Sequence, residues 1–356
     1  MTVRIALVGL GRWANAHAAA ARRSAAIEIA ACFTRTADRR RAFAGEHDIP
    51  WPAPSYDAIL DNPDVDAVVL STPNDVHVEM SLAALASGKA VLVDKPVAID
   101  VSEGLALLRL PEGHAPIAVA HHARRLAGHR AQKEWIERDE AGDVQLVNAT
   151  FSNNRGAAIR PDAWHRNVRG SEAGVLIQVG IHQVDNVVHL LGAPRWVNAR
   201  FAYGELGPSM PITAVVSIAH ASGALSTVTS SWTSPSYYRL DVQATGGTME
   251  YWLDHKQWTS PDVDAHAEVW LRPTDGERTR LHPAPGDPMR DQFDALAGAV
   301  AAGADPGVSV LDGLQALAVV EAAVQSAAAG GMPIDVASLV RDAGGTPDEI
   351  RAISGP

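Results

Sequence analysis

Two glycines and an alanine, in Gly9-Leu10-Gly11-Arg12-Trp13-Ala14, stand where an apolar run from Ile5 to Val8 gives way to an Ala-rich stretch of helical spacing. Glycine at the first place permits a tight turn, and glycine at the second lets the main chain close on a diphosphate. The free N–H groups of a helix start then direct partial positive charge at that anion. The strand–turn–helix context is what raises such a glycine pair above an ordinary turn, and Ala14 is a recognised variant of the third glycine. A second candidate, Lys95 in Asp94-Lys95-Pro96, closes the apolar run Ala90 to Val93. An ammonium at the C-terminal end of a central strand lies over the crevice where open sheets bind ligands, and it can stabilise a developing alkoxide. Its plainer reading is a surface lysine paired with Asp94. A third candidate, His182, lies in Gln178-Val179-Gly180-Ile181-His182-Gln183-Val184-Asp185. On a helix, Gln178 falls one turn before His182 and Asp185 three residues after it, so all three can share a face and either neighbour can orient the imidazole. The plainer reading of His182 is a satisfied core histidine, and of Asp185 a capping or packing residue.

The elements that must hold these residues follow from hydrophobic spacing. Short apolar runs at Ile5 to Val8, Ile27 to Phe33, Ala67 to Leu70 and Ala90 to Val93, with Ile117 to Ala120 as a fifth, have the length and composition of buried parallel strands. Between them, Ala14 to Arg23 and Val76 to Ser87 have helical spacing, the latter closed by Gly88. This alternation predicts a βαβ unit and a doubly wound parallel sheet. After His121 the character changes. An amphipathic stretch, Arg124 to Asp139, precedes strand-like segments at Val144 to Phe151, Ala214 to His220, Leu225 to Ser231 and Arg239 to Ala244, which suggest an antiparallel sheet. Gly174 to Leu191 reads as one helix ended by Gly192 and Pro194, and two more helices are expected near Pro288 to Ala302 and Val310 to Ala328. A chain of 356 residues exceeds the size at which one core stops growing, so two domains are expected, 1–122 and 123–356.

The place about 20 residues beyond the glycines, where an NAD site carries a carboxylate for the ribose hydroxyls, holds Phe33-Thr34-Arg35-Thr36. No acid comes before Asp38, whereas Thr34, Arg35 and Thr36 can donate to a 2′-phosphate, Arg bidentately. NADP is therefore favoured over NAD. The alternative is that Arg35 stacks on adenine and leaves either cofactor usable. The cluster of Arg35, Arg39, Arg40 and Arg41 reads first as a solvated helix start, with a dinucleotide-phosphate role second.

Together with the glycine turn, Ser71-Thr72-Pro73-Asn74-Asp75-Val76-His77, Asp94-Lys95-Pro96 and Gly180-Ile181-His182-Gln183-Val184-Asp185 resemble the glucose-fructose oxidoreductase, inositol dehydrogenase and MocA family over most of the chain. The resemblance implies an α/β Rossmann domain followed by an α+β domain with a large, mostly antiparallel open sheet. It implies an NAD(P)-dependent dehydrogenase or reductase acting on a secondary alcohol or ketone of a sugar, cyclitol or related polyol. Lys95 matches the family lysine beside the nicotinamide, with the preceding acid shortened to Asp94. His182 matches the histidine that takes the hydroxyl proton as hydride leaves, a task suited to a side chain with an ordinary pKa near 6.5. The family aspartate four residues before this histidine is absent; Gln178 stands there and brings no charge to stabilise an imidazolium. Asp185 can substitute for that aspartate electrostatically, with a capping or packing role as the alternative. Gly9, Gly11, Arg12 and Trp13 are expected at the cofactor, as are Ser71, Thr72, Pro73, Asn74 and His77, although Asn74 also suits a helix cap. Gln178, Asp185, Arg124, Trp164 and His165 are expected at the substrate, with Tyr237 and Tyr238 at its rim and the loop 153–167 setting specificity. A homodimer or homotetramer joined through the sheet face is implied. Two alternatives remain: a redox-neutral glycoside hydrolase of this fold that keeps its NAD, and a ligand sensor that has lost catalysis.

The bulk numbers narrow the classes. With 47% hydrophobic and 20% charged residues and a net charge of −11, the chain reads as an ordinary globular protein without a basic surface for nucleic acid and without a membrane partner. The lone Cys32 suits a reducing cytoplasm, and Arg4 interrupts what could pass for a signal segment. No metal-ligand spacing is present: histidines lack HExxH-like order, and Asp262 with Asp264 is a polar turn.

Overall fold

The computed structural model describes residues 2–159, 171–304 and 306–356. The chain forms two compact units. The first comprises 1–98, 106–122 and 287–313, and the second 99–105, 123–286 and 314–356.

In the first unit, strands β1 (Val3–Val8), β2 (Ile27–Phe33), β3 (Trp51–Pro52), β4 (Ala67–Leu70), β5 (Ala90–Val93) and β6 (Ile117–Val119) form one sheet in the order β3-β2-β1-β4-β5-β6. All of its pairings are parallel. This is the dinucleotide-binding order, with its switch point between β1 and β4. Every residue of β4 and β5 is buried, as expected of central strands covered on both faces. One covering helix comes from far along the chain. Met289, Phe293, Leu296 and Ala297 of the helix Pro288–Ala302 join Val3, Ile5 and Leu7 of β1 and Ala14 and Ala18 of the helix Arg12–Ala21 in one core. Arg23 fastens it with a bidentate pair to Asp287, at 2.6 and 3.0 Å.

The second unit is built on nine strands: β7 (Val144–Ser152), β8 (Pro194–Ala202), β9 (Thr213–His220), β10 (Leu225–Ser231), β11 (Tyr237–Ala244), β12 (Gly247–Leu253), β13 (Ala267–Pro273), β14 (Thr279–Leu281) and β15 (Ile334–Asp335). Their order is β14-β13-β12-β11-β7-β10-β9-β8-β15, with only β7 and β10 paired in parallel. Burial alternates along β9 and β11, so one face is packed and the other open. The helices Ala127–Glu137 and Ile181–Leu191 cover the packed face.

The stretch expected as one helix from Gly174 to Leu191 is two pieces, a π-helical turn Leu176–Gly180 and the α-helix Ile181–Leu191, preceded by a 3-10 turn Ser171–Ala173. Apolar spacing does not separate these, since Leu176, Ile177, Val179 and Ile181 are buried in any of them. The widened turn seats Gly180 on β10, where an added Cβ would lie 2.6 Å from Ser230 Oγ. The helix Val310–Ala328 is long and apolar enough to span a membrane, but 61% of its most apolar window is buried within the protein, as in a core helix.

Candidate functional site

In the first unit the glycine turn is built as the residue types demand. Gly9 has φ +86°, and a Cβ there would meet the Ser71 carbonyl oxygen at 2.5 Å and the Thr72 nitrogen at 2.7 Å, so only glycine lets β1 turn against the loop after β4. Around Gly11 a Cβ would meet nothing within 4 Å, which leaves the main chain open to a ligand. The helix Arg12–Ala21 begins there with no side-chain cap and no acid in its first turn. Uncapped N–H groups beside an open backbone fit the diphosphate of a dinucleotide. Arg12 is exposed at this helix start, and Trp13 is half-buried, its ring 6.2 Å from that of His122.

Gly9 N donates to Phe33 O at 2.9 Å, which brings the end of β2 beside the turn. Thr34, Arg35 and Thr36 follow immediately, with Arg35 and Thr36 exposed. The arginines of the cluster differ, with Arg39 exposed. Arg40 donates to Thr34 O at 2.9 Å and lies over the Phe33 ring, and Arg41 pairs with Asp38. Arg35 has no ion pair or hydrogen bond among the described residues.

After β4, Ser71, Thr72 and Pro73 are partly exposed. Asn74 is buried and opens a 3-10 turn, and the following helix His77–Ala86 has no side-chain cap, so Asn74 is not its cap. His77, expected at the cofactor, is turned inward. His77 has no exposed surface, and its Nδ1 and Nε2 lie 2.7 and 3.1 Å from the carbonyl oxygens of Pro96 and Thr72. It ties the loop after β4 to the loop after β5. Burial pushes its pKa below the ordinary histidine value, against the pull of those carbonyls and of Asp94.

Lys95 follows β5 at the same end of the sheet and is 8% exposed. Burial pushes its pKa from 10.5 down to about 8, while the Asp94 charge pulls it back up. Asp94 Oδ1 accepts the Lys95 N–H at 2.8 Å, and His17 Nε2 lies 3.9 Å from Asp94 Oδ2. Although burial opposes it, His17, Lys95 and His77 together hold the Asp94 carboxyl below its usual range. His17, on the inner face of the helix Arg12–Ala21, is a neighbour that sequence spacing did not single out; its burial among alanines is the one signal.

In the second unit His182 is the second residue of the helix Ile181–Leu191 and is 3% exposed. Gln178 is partly exposed in the π-helical turn before it, so the two are not joined by a plain α-helical turn as expected. Asp185, expected at the substrate, is fully buried, and both its oxygens accept from Arg124, Nε to Oδ2 and Nη2 to Oδ1, each at 2.7 Å. The pair fastens the helix that carries His182 to the turn His122–Arg125. Tyr238 is also buried, its hydroxyl 2.7 Å from His129 Nε2, whereas Tyr237 is exposed. Trp164 and His165, and the loop from 160 to 167, lie outside the described residues. Sequence reasoning missed Trp258, whose ring packs against His182 at 5.2 Å and 70°. It follows β12 by five residues, and no local motif marks it. Among the described residues no group of three or more His, Cys, Asp or Glu side chains is placed to hold a metal.

Residues 3–121 match the model of an oxidoreductase family with an NAD-binding Rossmann fold, and residues 129–250 match the GFO/IDH/MocA C-terminal domain. The chain is 26% identical to an inositol 2-dehydrogenase of Rhizobium meliloti over 338 residues, covering 92% of this chain and 98% of that one. It is 29% identical to a D-xylose 1-dehydrogenase (NADP(+)) of Haloferax volcanii over 306 residues, 85% of this chain and 90% of that one. A crystal structure from Desulfitobacterium hafniense, assigned as an NADPH-dependent oxidoreductase, superposes with a TM-score of 0.90 at 26% identity over 96% of this chain and 99% of that one. A levoglucosan dehydrogenase in complex with NADH and levoglucosan shares the fold at a TM-score of 0.82 and 21% identity, over 94% of this chain and 100% of that one.

Proposed function

The chain belongs to the GFO/IDH/MocA oxidoreductase family, and from that premise we propose that it moves a hydride between NADP, in preference to NAD, and a secondary alcohol or ketone of a sugar, cyclitol or related polyol. The observation that carries this reading is Lys95, a buried ammonium with its pKa lowered to about 8, at the ligand-binding end of a dinucleotide sheet. When bound, the nicotinamide supplies the hydride chemistry at its C4. Lys95 holds the substrate oxygen and stabilises negative charge on it, and His182 takes the hydroxyl proton during oxidation. Gln178 orients the substrate or the imidazole by hydrogen bonding, without charge. Arg35, exposed and unpaired among the described residues, takes the 2′-phosphate, with Thr34 and Thr36 beside it. Arg12, Trp13, Ser71, Thr72, Pro73 and Asn74 line the rest of the dinucleotide site. A homodimer or homotetramer forms through the open face of the nine-stranded sheet, where Trp196, Val215, Leu225 and Trp252 are 40–53% exposed.

The test is a fluorescence titration with NADPH and NADH, then a turnover screen over sugars and cyclitols with wild type, Lys95→Ala and His182→Ala. Tight NADPH binding and turnover lost in both variants are expected. Absence of nucleotide binding, or full turnover in Lys95→Ala, overturns the reading.

A further inference from the structure

We propose that Trp258 is the platform on which the substrate ring lies, and that this site therefore selects cyclic polyols bearing an apolar C–H face over open-chain ones. The inference rests on the reading of His182 given above. Among the described residues, three ring contacts hold Trp258: His182 at 5.2 Å and 70°, Phe151 at 5.0 Å and 45°, and Tyr238 at 5.3 Å and 51°. Phe151 and Tyr238 are 5% and 0% exposed, and the Tyr238 hydroxyl is held by His129 and Asn186, so the base of the stack is rigid. Trp258 is the layer of this stack that keeps a partly exposed surface.

An indole face is electron-rich, and carbon-bound hydrogens next to hydroxyl-bearing carbons carry partial positive charge, so the two attract when stacked. A six-membered ring with equatorial hydroxyls gathers its axial hydrogens on its two faces and its oxygens at the rim. Such a ring can lie against Trp258 while turning a rim hydroxyl to the adjacent His182. An open-chain polyol presents no such face and gives up rotational freedom on binding. A side chain held by three aromatic neighbours gives this contact without an ordering cost of its own.

The experiment compares wild type with Trp258→Phe, Trp258→Leu and His182→Gln, each checked for NADPH binding and thermal melting. Ring substrates (scyllo-inositol, myo-inositol, D-glucose, D-xylose) are set against xylitol and sorbitol. Turnover is measured, and saturation-transfer NMR reads the carbon-bound protons of each polyol on NADPH-loaded protein. We expect Trp258→Leu to raise KM for ring substrates by about tenfold with a smaller change in kcat, and Trp258→Phe to recover most of that loss. Saturation transfer to ring protons should fade in Trp258→Leu and persist in His182→Gln, which loses turnover. Equal use of xylitol and ring polyols by wild type, unchanged ring-substrate KM in Trp258→Leu, or no saturation transfer to any ring polyol overturns the proposal. Undiminished turnover in His182→Gln instead overturns the assigned role of His182, a separate failure.

Discussion

In the proposed mechanism, Lys95 and Asp94 set what pH does to the chemistry. An ammonium with a pKa near 8 is charged below that value and neutral above it, so activity that needs its charge should fall along an alkaline limb centred near pH 8. Asp94 raises that pKa, so Asp94→Asn should move the limb to lower pH while leaving the lysine present. A kcat/KM profile with the limb unmoved, or moved upward, would contradict the arrangement. In the proposed reading, Arg35 is the matching residue for cofactor choice. Arg35→Asp removes the bidentate donor and supplies the carboxylate that ribose hydroxyls prefer, so the NADPH-to-NADH affinity ratio should fall by at least about tenfold. An unchanged ratio in paired titrations would assign phosphate recognition elsewhere in the basic cluster.

At the scale of elements, two junctions carry the load. The turn at Gly9 has no room for a methyl group, because the obstacle is the main chain of Ser71 and Thr72 rather than a movable side chain. Gly9→Ala should therefore abolish nucleotide binding or folding, measured by NADPH titration and circular dichroism, whereas Gly11→Ala has free space at its Cβ and should fold. The helix Ile181–Leu191 depends on the buried Arg124–Asp185 pair. Removing one partner strands a buried charge, so Asp185→Leu should cost about 3–5 kcal/mol, and adding Arg124→Met should recover part of it. A double variant that melts as low as the single one would show that the pair does more than satisfy its own charges.

For the whole molecule, buried histidines set the response of stability to acid. Burial lowers the pKa of His122 and His129 to about 3 and of His220 to about 4. Each stays neutral in the fold at pH values where the unfolded chain, with an ordinary value near 6.5, takes up a proton. Stability should thus be full above pH 6.5 and decline as pH falls toward 4, by about 1 kcal/mol per histidine per pH unit. Asp94, held below its usual range, adds to the loss, while Glu321 and Asp241, raised by burial, oppose it. Urea midpoints at pH 7.5, 6 and 5 measure the slope; a flat series would mean these rings are protonated in the fold.

The doubly wound sheet and the glycine turn are legible in the sequence because their signals are local: a run of four to seven apolar residues is a buried strand wherever it packs, and Gly9 and Gly11 declare a turn by their type. The proposed roles of Lys95 and His182 likewise start from local signals, each residue lying in a short ordered motif. Four features are decided only by tertiary structure. The helix Pro288–Ala302 joins the core of β1, nearly three hundred residues earlier, because its apolar face fits there. The π-helical turn at Leu176–Gly180 forms because Gly180 meets β10. His77 and Asp185 turn inward because carbonyls and Arg124 receive them. Trp258 meets His182 from the segment after β12, and no spacing rule connects residues 76 apart; packing alone brings them together.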